Sequence, residues 1–204
     1  MLEAAAVFFA TAAYGALHSL LAASRVKQWA LARFGTPAKR AYRLVYNAVA
    51  LLSFMPVLAL LVLYPGEVLY RISLPWAALA LAGQVAAMVL LAIGLLQTDP
   101  LSFLGFRQLV AGDRSEPPSL TVTGLYRWVR HPLYTAGLVL IWLTPVMTAG
   151  VLGLNLALTA YIAIGYRLEE RRLVAEFGPA YLAYQERVPA LLPRWKPLSE
   201  SKTA

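Results

Sequence analysis

The sequence contains no cysteine and only two histidines, His18 and His131, in 204 residues. Without cysteine, the chain cannot form disulfides, thiolate zinc sites or iron–sulfur clusters, and it cannot use a thiol nucleophile. Two histidines far apart in the sequence make a poor metal site, so we expect no metal cofactor. Any chemistry must therefore depend on other side chains or on an organic cofactor.

Charged residues are also scarce, at 14% of the chain, whereas hydrophobic residues make up 60%. Several apolar runs approach or exceed the ~20 residues with which a helix spans a bilayer. A net charge of +8 could indicate a nucleic-acid partner. The charges lie between apolar segments, however, so we interpret them as a membrane-topology signal and expect no nucleic-acid binding. The composition predicts a single-domain, all-α polytopic membrane protein.

Five transmembrane helices are predicted. The first three cover residues 2–23, 44–63 and 74–96, and the first is expected to be retained because no basic region precedes it. The apolar run 132–166 is too long for one straight span, and Pro145 with the TAG at 148–150 divides it into a short hairpin of spans four and five. From Arg167 an amphipathic helix leaves the membrane, breaks at FGP (177–179), and is followed by a second helix that ends before Pro189.

The distribution of basic residues predicts the orientation. The segment 24–43, interpreted as a loop, holds six basic residues and no acidic ones, so it belongs in the cytoplasm. With five spans the N-terminus is then outside, and the 97–130 connection and the C-terminal helices are inside. Most of the polar residues of interest thus converge on the cytoplasmic face.

The segment VRHPLYTAG, residues 129–137, opens the fourth span. Pro132 fits the first turn of a helix, whose free N–H groups and positive dipole end favour an anion. Arg130 adds a fixed charge, and His131 can donate or accept a proton near neutral pH. The alternative for Arg130 is a charge that only extends to the membrane surface.

The hairpin should bring Glu169 and Glu170 beside Arg130 and His131. Two basic groups facing two acids suit a zwitterionic ligand, and nearby aromatic rings can hold a cation such as a sulfonium. These rings belong to Tyr126, Trp128, Tyr134, Tyr166, Tyr181 and Tyr184. A solvated charge run and an aromatic belt at the membrane surface are the alternatives. His18, inside the first span, is either a hydrogen-bonding residue of the bundle or part of a site.

These motifs together carry a resemblance. GLYRWVRHPLYTAG at 124–137, EE at 169–170 and FGPAYLAYQERVPALLP at 177–193 resemble the isoprenylcysteine carboxyl methyltransferase superfamily of membrane methyltransferases. HSLLAAS at 18–24, YRLVYN at 42–47 and TPVMTAG at 144–150 are similar to its bacterial branch of NnrU-like proteins and methanethiol S-methyltransferases. The resemblance implies a methyltransferase that uses S-adenosylmethionine as donor.

The resemblance also implies roles for individual residues. The donor would lie at the cytoplasmic end of the last two spans, with Glu169 and Glu170 at its polar end. Its pocket would be lined by His131, Pro132, Tyr134 and Gly137, with the backbone of Gly124, Leu125 and Tyr126 near the nucleoside. Arg130 and Arg187 would lie close to the reacting group. A thiol acceptor would need a base or a site that lowers its pKa, and His131 or a neighbouring arginine could serve.

The division of the chain follows: residues 1–96 form three spans, 97–193 the cofactor-binding catalytic part and 194–204 a flexible tail. The acceptor stays open among a small thiol, an isoprenylcysteine carboxylate and a phospholipid amine. A non-enzymatic scaffold or transporter is the alternative function. The expected location is the cytoplasmic membrane of a prokaryote, where an apolar or lipid-like acceptor would approach through the bilayer.

Overall fold

The computed structural model describes residues 1–97, 101, 104–111 and 120–195. The predicted tail beyond residue 195, and parts of the 97–130 connection, lie outside the described residues. The described part contains these helices and strands: α1 (Leu2–Ala22), α2 (Ser24–Leu63), β1 (Val68–Arg71), α3 (Trp76–Gln97), α4 (Phe106–Ala111), a 3-10 turn (Gly124–Arg127), α5 (Pro132–Trp142), β2 (Val146–Thr148), α6 (Ala149–Phe177) and α7 (Pro179–Arg187).

Four of these helices, α1, α2, α3 and α6, are long and apolar enough to cross a membrane, and α5 is a shorter apolar helix. The protein is therefore an all-α polytopic membrane protein, and the predicted fold class is confirmed. The two short strands were not predicted. They pair antiparallel, with Arg71 opposite Val146, and join the α2–α3 connection to the α5–α6 connection.

The predicted loop at 24–43 is wrong. Helix α2 begins at Ser24 and continues to Leu63, with a kink at Gly35, whose φ of 62° is open to glycine at little steric cost. Pro37 follows the kink, where a second helical segment can begin without the missing N–H. Basic residues do not oppose helix formation, so the charge run indicated the membrane surface and not a loop.

The predicted hairpin exists but its two helices are unequal. Helix α5 has 11 residues, about 16 Å, or half of a bilayer core. Helix α6 has 29 residues and continues through Arg167 to Phe177. Gly178, with φ of 54°, caps its end, and α7 ends at Arg187, before Pro189, as predicted.

Close helix packing depends on small residues. Helix α6 packs mainly on α1, and a Cβ added at Gly153 of α6 would overlap the Ala4 carbonyl. A Cβ at Gly15 of α1 would stand 2.8 Å from the Tyr161 ring. Helix α5 packs mainly on α3, where an added Cβ at Gly94 would overlap a leucine of α5. The two helices of the hairpin therefore pack chiefly on different neighbours.

The start of α6 is fixed by hydrogen bonds to the α2–α3 connection. The Ala149 N–H donates to the Glu67 carbonyl at 2.9 Å, so α6 begins beside the strands. Glu169 lies twenty residues later, about 30 Å along the helix. The glutamate pair and the strands are thus separated by about 30 Å, the thickness of a bilayer core.

Candidate active site

A cavity of about 270 Å³ lies between the start of α5, the end of α6 and α7. Its polar wall is formed by Thr121, Tyr126, Arg130, His131, Tyr134, Glu169, Tyr181 and Tyr184. Its apolar wall is formed by Leu120, Pro132, Leu133, Leu173 and Phe177. Glu169, Leu173 and Phe177 are four residues apart, so they present one face of α6 to the cavity.

Arg130 forms a buried ion pair with Glu170. The Arg130 Nε and Nη2 atoms lie 2.7 and 2.6 Å from Glu170 Oε1, and the two side chains are only 9% and 14% exposed. Arg130 Nη1 also donates to the carbonyls of Gln185, at 3.0 Å, and Val188. Arg130 therefore joins α5, α6 and the end of α7, and most of its hydrogen-bonding capacity is used within the protein.

His131 and Tyr134 contact the two glutamates from α5. His131 Nε2 lies 3.2 Å from Glu170 Oε1, and His131 Nδ1 lies 3.9 Å from Glu169 Oε2. Tyr134 donates its hydroxyl to Glu169 Oε2 at 2.9 Å, and its ring stacks on the imidazole at 5.4 Å between centroids. The hairpin geometry predicted from sequence thus brings Arg130, His131, Glu169 and Glu170 together.

The two glutamates differ in their surroundings. Glu170 is neutralised by Arg130 and also accepts from Gln185 Nε2 at 3.1 Å. Glu169 lines the cavity with a side chain that is 34% exposed, and its carboxylate accepts from the neutral Tyr134 hydroxyl. The cavity therefore presents one carboxylate that is suited to a ligand cation.

The chain after α7 fixes the start of α5. The Arg130 N–H donates to the Pro189 carbonyl at 2.9 Å, and the His131 N–H donates to the Ala190 carbonyl at 3.0 Å. Thr135 Oγ1 donates to the Leu191 carbonyl at 2.6 Å. The N–H groups of Arg130 and His131, immediately before the first helical turn where the sequence predicted an anion, are thus occupied by the protein's own carbonyls.

Two tyrosines of α7 pack beneath the cavity. Tyr181 and Tyr184 are 1% and 3% exposed, and the Tyr184 hydroxyl donates to the Tyr126 carbonyl at 2.6 Å. Burial, with a smaller contribution from Glu170 and opposed by Arg130, raises the pKa of Tyr181 to about 12. Burial and Glu169 also raise the pKa of Tyr126. These phenols therefore stay neutral near pH 7 and contribute ring surface without adding charge.

Besides Glu170, which stands behind the cavity wall, four predicted residues lie away from it. Gly124 and Leu125 form the 3-10 turn before it, and Gly124 needs its glycine because φ is 59°. Gly137 lies one turn further along α5, with no described atom within 4 Å of an added Cβ. Arg187, predicted near the reacting group, is exposed, and its Nε donates to the Ala183 carbonyl of its own helix at 2.9 Å. The structure does not bring Arg187 to the site.

Some site residues had no assigned role in the sequence interpretation. Gln185 contacts Glu170, and it stands between Tyr184 and Arg187 in the FGPAYLAYQERVP segment, which could have indicated it. Leu173 and Phe177 could have been found from their spacing after Glu169. Leu120 and Thr121 belong to an irregular segment, and no local pattern identifies them.

Comparisons with known proteins extend this description. The NnrU protein family model matches residues 5–187. Methanethiol S-methyltransferase 1 of Bradyrhizobium diazoefficiens is 31% identical over 193 residues, which are 91% of this chain and 65% of that protein. Methanethiol S-methyltransferase of a Pseudomonas species is 35% identical over 190 residues, 89% of this chain and 70% of that protein.

A human relative matches a smaller part. Human protein-S-isoprenylcysteine O-methyltransferase is 35% identical over 91 residues, 43% of this chain and 32% of that protein. No solved structure matches the chain. The chain thus spans 65% and 70% of the two bacterial relatives' own lengths.

Proposed function

The chain belongs to the NnrU protein family, and we propose on that basis that it is an integral-membrane methyltransferase that uses S-adenosylmethionine to methylate a small thiol. The observation that carries the proposal is the cavity at the membrane face, with the Glu169 carboxylate and neutral aromatic rings in its wall. The resemblance of the motifs to membrane methyltransferases and the names of the bacterial relatives support the same activity.

The cavity suits this donor chemically. S-adenosylmethionine, when bound, supplies a methyl group on a positively charged sulfur, and it carries an ammonium group at its polar end. Glu169 would bind the ammonium, while the rings of Tyr126, Tyr134 and Tyr181 would face cationic and adenine groups. The cavity volume of about 270 Å³ is just below the range of about 300–1,000 Å³ for small-molecule sites. Because the cavity is this small, bound S-adenosylmethionine would leave no room in it for a second molecule. The acceptor would therefore approach from outside the cavity.

The protein's part in the reaction is to orient the reactants and exclude water. Orientation of this kind can lower a barrier by roughly 7–11 kcal/mol. His131 and Tyr134 hold the Glu169 carboxylate from one side, and His131 is itself fixed by Glu170. The motif resemblance led us to expect Arg130 near the reacting group. In this proposal it acts as a positioning residue instead, because its guanidinium is bound to Glu170 and to the Gln185 carbonyl of α7.

A small thiol is the proposed acceptor. The two relatives that match about nine tenths of this chain are both named methanethiol S-methyltransferases, whereas the isoprenylcysteine relative matches 43% of it. We retain residues 1–96 as the three N-terminal spans and 97–193 as the donor-binding part. We also propose the cytoplasmic membrane of a bacterium, with the N-terminus outside and the donor cavity on the cytoplasmic side, where Arg25 to Arg43 are concentrated.

The test is calorimetric titration of detergent-purified protein with S-adenosylhomocysteine, the product of the donor, followed by gas chromatography of the sulfide formed from methanethiol. We expect saturable binding that His131→Ala weakens and methylation that requires the donor. Arg187→Ala is the control, because that side chain is exposed, bonds its own helix and is not part of the cavity wall. Absence of binding in folded protein would refute the donor assignment. Binding without thiol methylation would refute the acceptor.

A further inference from the structure

His18 forms a polar cluster inside the membrane, separate from the donor cavity. The Tyr161 hydroxyl of α6 lies 2.9 Å from His18 Nδ1, and the Tyr46 hydroxyl of α2 lies 2.6 Å from His18 Nε2. Ser19 Oγ lies 3.1 Å from the Tyr161 hydroxyl. We call His18, Ser19, Tyr46 and Tyr161 the His18 cluster. It joins three helices and gives both ring nitrogens a phenol partner.

The simplest role for this cluster would be to tie the helices together. Helix α2 already has such a tie one turn away, because the Tyr42 hydroxyl donates to the Leu21 carbonyl at 2.6 Å. The Tyr42–Leu21 hydrogen bond thus connects α2 to α1 without an ionisable imidazole. An ionisable side chain in a membrane span is costly, and by default it marks a functional site. Three aromatic side chains contact the ring, Tyr14, Tyr46 and Tyr161, and all are phenols.

The cluster extends towards the donor cavity. Tyr161 lies eight residues before Glu169, about 12 Å along α6 and deeper in the membrane. On the facing helix α5, the Tyr134 hydroxyl donates to Glu169. Polar side chains therefore occur at successive heights in a row, with His18 and Tyr161 inside the membrane and Tyr134 and Glu169 at the cavity wall.

The space beside this row is open. Gly137 of α5 and Gly165 of α6 lie at matching heights in the antiparallel pair, between the Tyr134–Glu169 contact and the Trp142–Thr159 contact. A Cβ added at either glycine would meet no described atom within 4 Å. An apolar acceptor could therefore approach from the bilayer at this height, beside Tyr134.

We propose that His18 accepts the proton of the thiol acceptor through the Tyr161 hydroxyl. This rests on the proposed function. As the acceptor sulfur forms its bond to the methyl carbon, the bond from that carbon to the donor sulfur breaks, and its electron pair stays on the donor sulfur. The S–H proton passes to the Tyr161 oxygen, and the Tyr161 proton passes to His18 Nδ1. The donor sulfur loses its positive charge and the His18 imidazole gains a positive charge, so the net charge is unchanged.

His18 suits this step better than His131, the other histidine. His131 Nε2 is engaged by Glu170, and its ring packs against Tyr134 and Tyr166. Its place is in the wall of the donor cavity. His18 lies on the membrane side, from which an apolar thiol arrives, and it is held among neutral phenols that can pass a proton.

The experiment compares two acceptors at pH 7 with the full-length protein. An alkanethiol is almost wholly protonated there and needs a base, whereas thiophenol is largely ionised and does not. We expect His18→Gln to lower kcat/KM for ethanethiol by about 10²- to 10⁴-fold, the usual effect of losing a general base. Its kcat/KM for thiophenol should fall less than tenfold, and its affinity for S-adenosylhomocysteine should stay unchanged.

Tyr161→Phe should show the same selective loss, because it keeps the ring against Gly15 and removes only the hydroxyl. It also serves if His18→Gln fails to fold. Tyr42→Phe is the matched control, since it removes a phenol of α2 that bonds a carbonyl, and it should behave as wild type. An equal loss for both thiols, or no loss, would refute the proton-accepting role. A wild-type protein inactive on both thiols would refute the proposed function itself.

Discussion

The two neighbouring glutamates of α6 should respond in opposite ways to the same isosteric change. Glu170→Gln removes the counter-charge of Arg130, whose side chain is only 9% exposed. Removing one partner of a buried pair costs about 3–5 kcal/mol because the other charge stays buried. Glu169→Gln should cost little stability, because Glu169 is 34% exposed and a glutamine can still accept from Tyr134.

Ligand binding should show the reverse order. If Glu169 binds the ammonium of the donor, its loss removes a charge-assisted hydrogen bond worth about 1.5–3 kcal/mol. That corresponds to roughly a 10- to 150-fold weaker Kd for S-adenosylhomocysteine. Glu170→Gln should keep much of the affinity at temperatures where α7 stays docked, because Glu170 stands behind the cavity wall.

The assay combines thermal unfolding followed by tryptophan fluorescence with calorimetric titration at low temperature. For a chain of this size, about 3–5 kcal/mol should lower the Tm of Glu170→Gln by roughly 6–20 °C. Glu169→Gln should melt close to wild type. The reasoning is refuted if both variants lose stability equally, or if Glu169→Gln binds the ligand as tightly as wild type does.

Three further changes test the packing. Gly153→Ala should prevent α1 from packing on α6, because the new Cβ overlaps the Ala4 carbonyl, and the variant should aggregate in size-exclusion chromatography. Gly165→Ala is the control: its Cβ meets no described atom within 4 Å, and the variant should elute normally. Tyr184→Phe should cost about 1–3 kcal/mol in thermal unfolding, since it leaves a buried carbonyl without its 2.6 Å partner. Gly178→Ala should cost about 1–2 kcal/mol at φ 54° and expose the end of α6 to limited proteolysis.

The membrane helices could be predicted because their signal is local. Length and apolar composition alone locate α1, α3 and the second half of α2, and the break at Gly178 follows from an FGP triplet. The prediction of a loop at 24–43 was wrong because positive charge indicates a position at the membrane surface and is compatible with a helix. The paired strands were missed because their partners are more than seventy residues apart and each is only a few residues long.

Part of the candidate site could likewise be predicted from the sequence, and part could not. The meeting of Arg130 and His131 with Glu169 and Glu170 follows from an antiparallel hairpin of roughly the right length. The sequence does not predict that Glu170 is paired and Glu169 is available to a ligand, because this depends on where α7 and the chain after it dock. That docking brings the Gln185 and Val188 carbonyls to Arg130, and it determines that the arginine holds the protein together. The sequence also did not predict that Arg187 is away from the site, because its side chain bonds the Ala183 carbonyl of its own helix.

The shape of the hairpin explains how one protein could serve a polar donor and an apolar acceptor. Helices α5 and α6 are joined at the donor-cavity end by the Tyr134–Glu169 contact and near their connection by the Trp142–Thr159 hydrogen bond of 2.9 Å. Between these points each helix packs mainly on a different neighbour, and glycines stand at the same height on both. In the proposed orientation, the donor cavity would face the cytoplasm and the space beside it would face the bilayer. A thiol arriving there would meet neutral phenols and His18 before it met a fixed charge.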